Sequence, residues 1–320
     1  MGHILFIWDN KSYYPRDFNR YFQGGIAIAF NLSSKVNSML WKGRRTSTNV
    51  DDRRGISGGA IAGGGGVVGI IIYLLYTFLG GGGDGTSMPQ IMPGTQTEMT
   101  AEEKAADDER AEFVTVVLAD TEDVWAKLFS ERGDSYNPPT LVLFRDAVQS
   151  ACGNASASMG PFYCPSDQKV YIDLSFYRDL KTKFGAPGDF AMAYVVAHEV
   201  GHHIQTLDGT SAKVNSMRQQ VSETEADRRS VKMELQADFL AGVWAHHAQR
   251  MKNILEEGDL EEALNAANAI GDDMLQKKSQ GHVVPDAFTH GTSAQRMYWF
   301  RKGYETGDLR QGDTFNAPNL

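Results

Sequence analysis

Hydrophobic residues recur at helical spacing through most of the chain beyond residue 100. Thr100 and Glu103 have the spacing of a capping box, which predicts where the first helix begins. Two short apolar runs, 141–144 and 169–173, instead predict strands. Residues 98–320 are therefore predicted to form one mostly helical α+β domain. The predicted helices cover residues 100–129, 175–184, 190–207, 223–253, 260–277 and 293–304.

A long uncharged stretch separates this domain from the N-terminal part of the chain. Residues 56–79 contain no charged side chain and end in the strongly apolar run Val67–Leu79. About 20 predominantly apolar residues can cross a membrane as a helix, so residues 56–79 predict a single transmembrane helix. A glycine-rich linker followed by a buried core helix is the alternative interpretation. Residues 80–97, rich in glycine, proline and threonine, then predict a flexible linker.

The charge distribution predicts an orientation for that helix. The formal net charge of −9 argues against nucleic-acid binding through a basic surface. This charge is unevenly divided, with +5 over residues 1–79 and −14 over residues 80–320. Because basic residues collect on the cytoplasmic side of membrane helices, we expect the N-terminal segment 1–55 in the cytoplasm. The domain 98–320 is then expected outside the cytoplasm.

The chain has two cysteines, Cys152 and Cys164, in a region rich in small residues. A disulfide can close the loop between them, and an extracytoplasmic compartment permits it. We therefore predict a disulfide between Cys152 and Cys164. Two free cysteines are the alternative.

The predicted helix 190–207 carries a metal-binding pattern. His198 and His202 stand at positions i and i+4, so both imidazoles can reach one zinc ion. Glu199 can then take a proton from metal-bound water. Burying three ionisable side chains in this apolar helix is costly unless they coordinate something. A surface histidine cluster is the alternative, and we expect the neighbouring His203 to serve packing or to support the ligands.

A catalytic zinc site needs a third protein ligand besides an open position. Two pairs of acids at positions i and i+4 could supply it, Glu223 with Asp227 and Glu234 with Asp238. The first pair stands among charged residues, whereas the second lies in an apolar helix, where an unpaired acid is penalised. We therefore assign Glu234 to zinc and expect Asp238 to hold a ligand histidine through its ring N–H. A buried salt bridge to an arginine is the alternative for this pair.

His290 and Arg296 lie at the beginning of the last predicted helix. A metal hydrolase gains from a donor or a cation beside the developing oxyanion, and either residue could supply it. A purely structural role is an equally good interpretation of the loop residue His290. His246 and His247 end an amphipathic helix and are expected at the surface.

Several separate motifs in order resemble those of one known family, the neutral zinc metallopeptidases of bacteria. The resemblance implies a single-span protein of the bacterial inner membrane with a periplasmic domain. It also implies zinc at His198, His202 and Glu234, with Glu199 as the general base. More distantly the pattern is similar to the gluzincins, which implies a zincin-like fold. The motifs are Trp41-x-Gly-Arg-Arg45, Asn49-Val-x-Asp-x-Arg54, Asp120–Trp125, Cys152-Gly, Gly160–Pro165, His198–His203, Glu234-Leu-Gln-Ala-Asp238 and Thr289–Arg296.

The resemblance begins near Met39, where members of the family tend to start. Residues 1–38 have no counterpart there and contain no motif. We therefore hypothesise that translation starts at Met39. N-terminal sequencing of the native protein tests this hypothesis, and peptides spanning Met1 to Met39 would contradict it.

The sequence thus predicts a membrane-anchored zinc endopeptidase with one zinc ion per chain. We expect a protein or peptide substrate, contact with the lipid bilayer through residues 56–79, and no nucleic-acid partner. Glu199 activates the zinc-bound water, His290 stabilises the oxyanion, and Asp238 and Arg296 support the ligands. Two alternatives remain. One is a membrane-tethered interaction module whose zinc is structural or whose activity has decayed, and the other is a zinc amidase acting on cell-wall peptides.

Overall fold

The computed structural model describes residues 39–55, 99–218 and 220–318. These residues belong to one compact unit, which begins at Asn37. The transmembrane helix predicted over 56–79 and the linker predicted over 80–97 lie outside the described residues, as do residues 1–38. Within the described ranges, no helix combines the length and the apolar character needed to cross a bilayer.

The described residues contain a four-stranded sheet and a separate hairpin. The strands are β1 (Val50–Asp52), β2 (Thr140–Phe144), β3 (Ala147–Ser150), β4 (Gly153–Ser156), β5 (Phe162–Cys164) and β6 (Lys169–Asp173). The sheet has the order β1-β2-β6-β5, with β1, β2 and β6 parallel and β5 antiparallel to β6. Leu141 in β2 is paired with Val50 on one side and Val170 on the other. β3 and β4 form the antiparallel hairpin.

Eight α-helices account for most of the described residues. They are α1 (Ala101–Glu131), α2 (Phe176–Asp179), α3 (Asp189–Leu207), α4 (Thr210–Arg218), α5 (Glu223–Lys252), α6 (Asp259–Ala269), α7 (Asp272–Gln280) and α8 (Ser293–Thr306). A π-helical turn, Leu180–Phe184, continues α2. Short 3₁₀ turns lie at Ala157–Met159, Pro285–Ala287 and Leu309–Gln311.

Helix α3 runs through the hydrophobic core. All of its residues from Phe190 to Val200 are buried, and His198 and Glu199 are the only ionisable side chains that are not tyrosine in that stretch. A helix that is apolar on every side is stable only in the interior of a protein. Helices α1, α5 and α6 pack around it. The two acid–base groups are therefore held in a rigid and water-poor environment.

The predicted architecture, a mostly helical α+β domain, is confirmed. The capping box is also present, since the Thr100 hydroxyl accepts the Glu103 N–H and the Glu103 carboxylate accepts the Thr100 N–H. The predicted strands appear as β2 and β6. The strands β1, β3, β4 and β5 were not predicted, because runs of three or four residues are too short to show a period-two pattern.

Two predicted helices are interrupted in the structure. The helix predicted over 260–277 is divided into α6 and α7 at Gly271, where a Cβ would lie 2.4 Å from the backbone nitrogen of Ser293. That close approach of two backbones leaves no space for a side chain. The helix predicted over 175–184 consists of one α-helical turn followed by the π-helical turn.

Residues 39–55 correct a predicted boundary. The sequence pattern predicts that they belong to an N-terminal segment, 1–55, separate from the domain that begins at 98. In the structure β1 is hydrogen-bonded to β2, and Met39 and Trp41 are buried in the same core as α1 and α3. The uncharged stretch that follows residue 55 indicates a domain boundary there. Strand β1 has only three residues, too few to show a strand pattern in the sequence. The folded domain therefore includes residues 39–55.

The predicted disulfide is present. Cys152 and Cys164 are bonded, with their Cα atoms 5.8 Å apart. Cys164 is fully buried in a small hydrophobic cluster that also contains Phe144 and Tyr171. The disulfide thus connects the turn of the β3–β4 hairpin to strand β5 of the sheet.

Helices α5 and α8 cross at two glycines. A Cβ on Gly242 would lie 2.0 Å from the carbonyl oxygen of Phe300, and a Cβ on Gly303 would lie 2.1 Å from that of Phe239. Both separations are shorter than any tolerated contact, so a side chain at either position would force the helices apart. The crossing lets α8 lie against α5 and thereby sets the position of Arg296.

We expect Gly303→Ala to destabilise the fold by about 1–3 kcal/mol or more, because the added methyl group must displace backbone atoms. Gly55→Ala is the matched control, since nothing lies within 4 Å of a Cβ at that position. Chemical unfolding of both variants and of the parent protein measures the effect. Equal free energies of unfolding for the two variants would contradict the tight crossing.

Candidate metal centre

Helix α3 brings His198, Glu199 and His202 to one place. His198 and Glu199 are each 2% exposed, and His202 is partly buried. The i, i+4 spacing puts the two imidazole centroids 4.8 Å apart. The two histidines can therefore bind the same ion, as the spacing indicated.

Glu234 on α5 faces both histidines. Its Oε2 lies 3.2 Å from His198 Nε2, and its Oε1 lies 3.5 Å from His202 Nε2. In a tetrahedral zinc site with ligands at 2.0–2.1 Å, neighbouring ligand atoms are about 3.3–3.5 Å apart. The distances and the donor set, two imidazoles and one carboxylate, therefore fit zinc. One atom from each residue lies within 4.8 Å of the other two.

The second ring nitrogen of each histidine has its own partner. His198 Nδ1 lies 2.8 Å from Asp238 Oδ1, and His202 Nδ1 lies 2.9 Å from Gln205 Oε1. A partner at Nδ1 leaves Nε2 free to turn toward Glu234, as in other metal sites built from histidines. Asp238 was expected in this role. Gln205 was not, although its position three residues after His202 on one helix was a usable signal.

Asp238 also receives the guanidinium of Arg296. Arg296 donates from Nε to Oδ2 at 2.9 Å and from Nη2 to Oδ1 at 3.0 Å. Tyr194 donates its hydroxyl to Oδ1 at 2.5 Å. Asp238 therefore both supports His198 and forms a salt bridge with Arg296, so both interpretations of this residue apply. Of the two oxyanion candidates, Arg296 is therefore occupied by Asp238.

The charges of this network perturb one another strongly. Burial disfavours the charged form of His198, yet Asp238 and Glu234 outweigh it and raise the pKa of His198 to about 10. Burial also opposes the ionised form of Asp238, but Arg296 and His198 lower its pKa to about 2. The pKa of Glu234 is held well below its usual range by the histidines, despite burial. The metal-free site therefore keeps both carboxylates ionised, and a metal ion must displace the proton that the raised pKa of His198 retains.

Glu199 differs from the other two acids of the site. Burial is the largest influence on it and raises its pKa, while the neighbouring imidazoles of His198 and His202 act in the opposite direction. A raised pKa makes a carboxylate a better proton acceptor than an ordinary glutamate. Glu199 is thus suited to proton transfer, whereas Glu234 and Asp238 are suited to remain negatively charged.

His290 reaches the same place from the loop before α8. Its Nδ1 lies 3.1 Å from Asp272 Oδ1, and Asp272 Oδ2 accepts the backbone N–H groups of residues 289–291. Among the described residues, the buried Nε2 atom has no hydrogen-bond partner. His290 lines the cavity beside His198, so this nitrogen is available to a substrate. The sequence does not predict this role of Asp272, since nothing in it links Asp272 to a histidine 18 residues further on.

An apolar cavity adjoins His198, Glu199 and His290. Most of its remaining wall consists of hydrophobic side chains from four parts of the chain. Among them are Phe176, Phe184, Val195, Ile270 and Leu275. A bulky hydrophobic group could therefore be buried next to the candidate ligands.

The other candidate residues lie away from the metal ligands. Glu223 is exposed and Asp227 is partly buried, and neither belongs to the group around Glu234. His203 has packing and hydrogen-bonding partners, with Nε2 2.7 Å from the Asn137 carbonyl oxygen. It therefore has the structural role that was expected.

His246 and His247 were expected at the surface and are instead partly buried. His246 Nδ1 lies 2.7 Å from the carbonyl oxygen of Tyr304, and His247 Nε2 lies 2.9 Å from that of Gly307. Both therefore hold the C-terminal end of α8 against α5. The expectation failed because α8 covers the helix face that the sequence pattern left open.

The chain is similar to one known family and to several known proteins. Residues 39–315 match the model of a family described as "putative neutral zinc metallopeptidase". The chain is 51% identical to protein YpfJ of Escherichia coli strain K12 over 87% of this chain and 99% of that protein. It is 42% identical to protein Rv2575 of Mycobacterium tuberculosis and to protein Mb2605 of Mycobacterium bovis, over 62% of this chain and 68% of each relative. The names of these relatives describe them as uncharacterized. No solved structure matches the chain.

We expect Glu234→Ala to lower zinc affinity by more than about 100-fold, because it removes one of three ligands rather than a supporting residue. Glu223→Ala, on the exposed part of the same helix, should keep one zinc ion per chain. Elemental analysis after dialysis against a competing chelator measures both. Full zinc retention by Glu234→Ala would show that the third ligand is another residue.

Proposed function

Because the chain belongs to the neutral zinc metallopeptidase family, we propose that it is a zinc-dependent endopeptidase. The proposal rests on one observation, the buried set of His198, His202 and Glu234 with Glu199 adjoining it. Two ligands and a base come from one helix and the third ligand from the next long helix. This is the arrangement expected of a zincin-like, gluzincin-like site.

The residues of the site have different roles in peptide hydrolysis. Zinc, when bound, supplies a Lewis acid that polarises the peptide carbonyl and lowers the pKa of water. Glu199 takes a proton from the attacking water and passes it to the amide nitrogen. The C–N bond breaks after the new C–O bond has formed, giving a carboxylic acid and an amine. Asp238 and Gln205 keep His198 and His202 in their orientations throughout.

His290 stabilises the oxyanion in this proposal. In its protonated form it donates from both ring nitrogens, from Nδ1 to Asp272 and from Nε2 toward the cavity. The Nε2 atom is buried and has no partner among the described residues, so it is ready to donate to a substrate oxygen. A donor fixed in a water-poor site costs no reorganisation as the charge develops. Asp272 is a positioning residue for His290.

A structural zinc site is a weaker explanation of the same residues. Structural sites are closed by four protein ligands, whereas catalytic sites keep one position open. In the part of the chain that the structure describes, no fourth His, Cys, Asp or Glu joins the set around Glu234. A structural ion also gives the buried Glu199 no role.

The apolar cavity favours a particular kind of substrate. It adjoins His198 and Glu199, and its hydrophobic lining matches an apolar side chain. We therefore propose that cleaved peptides carry such a residue directly beside the scissile bond. Burial of that side chain orients the peptide relative to Glu199.

Glu199→Gln is expected to keep zinc and to lose hydrolysis by about 100-fold or more, because the amide cannot accept a proton. Glu223→Gln is the control and should cleave as the parent protein does. Both are compared in a proteome-wide cleavage assay, which should also show one dominant apolar position beside the cut. Persisting cleavage by Glu199→Gln would contradict the assigned base. Cleavage of cell-wall peptides without cleavage of proteins would indicate the amidase.

We also propose that the domain acts outside the cytoplasm, attached to the membrane through residues 56–79. The Cys152–Cys164 disulfide supports an oxidising compartment. The orientation inferred from charge needs a correction, however. It put residues 1–55 and 80–320 on opposite sides of the membrane, whereas hydrogen-bonded β1 and β2 must lie on the same side. The proposal therefore places residues 39–55 outside with the rest of the domain. Residues 56–79 then attach the domain to the membrane without crossing it as the single transmembrane helix that the sequence predicts.

Labelling of intact, outer-membrane-permeabilised cells with a membrane-impermeant amine reagent tests this location. Lys42 and Lys104 are both well exposed, at 72% and 69% of their side chains, so both should be labelled. Labelling of Lys104 with protection of Lys42 would contradict the shared side. Protection of both would contradict the extracytoplasmic location.

A further inference from the structure

The Cys152–Cys164 disulfide closes a loop that carries part of the wall of the apolar cavity. Residues 159–161 line the cavity beside His198 and Glu199, and all three lie between the two cysteines. We call residues 152–164 the disulfide loop. This loop therefore reaches from the disulfide to the place where the substrate side chain is proposed to bind.

Both ends of the disulfide loop belong to regular structure. Strand β4 pairs with β3 in the hairpin, and β5 pairs with β6 in the sheet. Residues 157–161 connect β4 to β5 and begin with the 3₁₀ turn Ala157–Met159. The Ala157 N–H donates to the Asp146 carbonyl oxygen at 2.7 Å, which fixes the start of that turn. The disulfide adds a covalent connection between hairpin and sheet, so the ends of residues 157–161 keep a constant separation.

Met159 contacts both the cavity and the small hydrophobic cluster around Cys164. It is partly buried, lines the cavity, and packs against the cluster that contains Cys164 and Phe144. Cys152 packs against the same cluster. Because the disulfide holds Cys152 on this cluster, it also fixes the surface against which Met159 packs. A change at the disulfide should therefore change the position of Met159 in the cavity wall.

Other parts of the apolar wall have a different support. Phe176 belongs to the main hydrophobic core around α3, and Phe184 and Ile270 pack against that core. These side chains are held by the same packing that holds the helix of the candidate metal ligands. Met159 is held instead by the small cluster and the disulfide loop. The shape of the cavity can therefore change at Met159 while α3 stays in place.

We propose that Met159 determines the size of the apolar side chain that the cavity accepts, and that the disulfide positions Met159. This inference rests on the proposed function, because it takes the cavity as the binding site of the residue beside the scissile bond. In an apolar pocket, a single methylene group changes the selectivity between two substrates by about 10–200-fold. The methionine side chain is therefore large enough to disfavour a bulky residue relative to a small one.

The first test measures selectivity on peptides that differ only in the residue beside the scissile bond. Met159→Ala should raise the ratio of kcat/KM for a tryptophan peptide to that for a valine peptide by about 10-fold, because truncation leaves space for the larger side chain. Met159→Leu, which nearly conserves volume, should keep the ratio of the parent protein. Asn154→Ala, at an exposed position of the disulfide loop, is the control and should also leave the ratio unchanged.

The second test determines whether the disulfide acts through Met159. Cys152→Ala combined with Cys164→Ala should raise the same ratio, mainly through KM, because a displaced Met159 no longer limits the space, and one zinc ion per chain should be retained. Adding this alanine pair to Met159→Ala should change the ratio much less, since the side chain that the disulfide positions is already absent. Treating the parent protein with a phosphine reductant gives the same comparison if the alanine pair does not fold.

The outcomes separate this inference from the proposed function. If Met159→Ala leaves the ratio unchanged, or lowers cleavage of every peptide by the same factor, Met159 only supports the fold and the inference fails while peptide hydrolysis stands. If loss of the disulfide changes the ratio equally with and without the Met159 side chain, the disulfide acts elsewhere and its positioning role is wrong. If the zinc-loaded parent protein cleaves neither proteins nor any peptide of the set, the proposed function is contradicted, and the inference with it.

Discussion

The buried carboxylate of Asp238 is the group on which the arrangement of the site depends. It lies on α5 and binds His198 and Tyr194 from α3 and Arg296 from α8. Removing one partner of such a buried charge pair typically costs about 3–5 kcal/mol, because the other charge is left uncompensated. Asp238 therefore determines both the orientation of His198 and the packing of α3, α5 and α8 against one another. The two glycines at the crossing of α5 and α8 allow the close approach of these helices that the packing needs.

The grouping of the three candidate metal ligands could be predicted from the sequence, because each signal was local to a helix. His198 and His202 share a face by spacing alone, and Glu234 was distinguished from Glu223 by the apolar helix around it. The supporting partners Asp272 and Tyr194 could not be predicted, because they depend on how separate helices meet. Strand β1 left too short a pattern, and the uncharged stretch after it suggested a division that the fold does not have.

Residues 39–52 contact two central parts of the domain, the buried helix α3 and the sheet. Residues 39–41 lie against the start of α3, and β1 completes one edge of the sheet. The same helix carries His198 and His202 nearer its other end. Residues 39–41 and the candidate metal ligands are therefore connected through a single buried helix, so changes at residues 39–41 can affect the stability of the site.

The proposed zinc site is made by two histidines and one carboxylate and keeps one position open. X-ray absorption spectroscopy of the zinc-loaded protein tests it most directly, because it reports the number and type of ligand atoms. The account predicts two imidazole nitrogens and carboxylate oxygen at about 2.0–2.2 Å, with one further oxygen that exchanges with solvent or inhibitors. Four protein ligands with no exchangeable position, or a sulfur ligand, would contradict it.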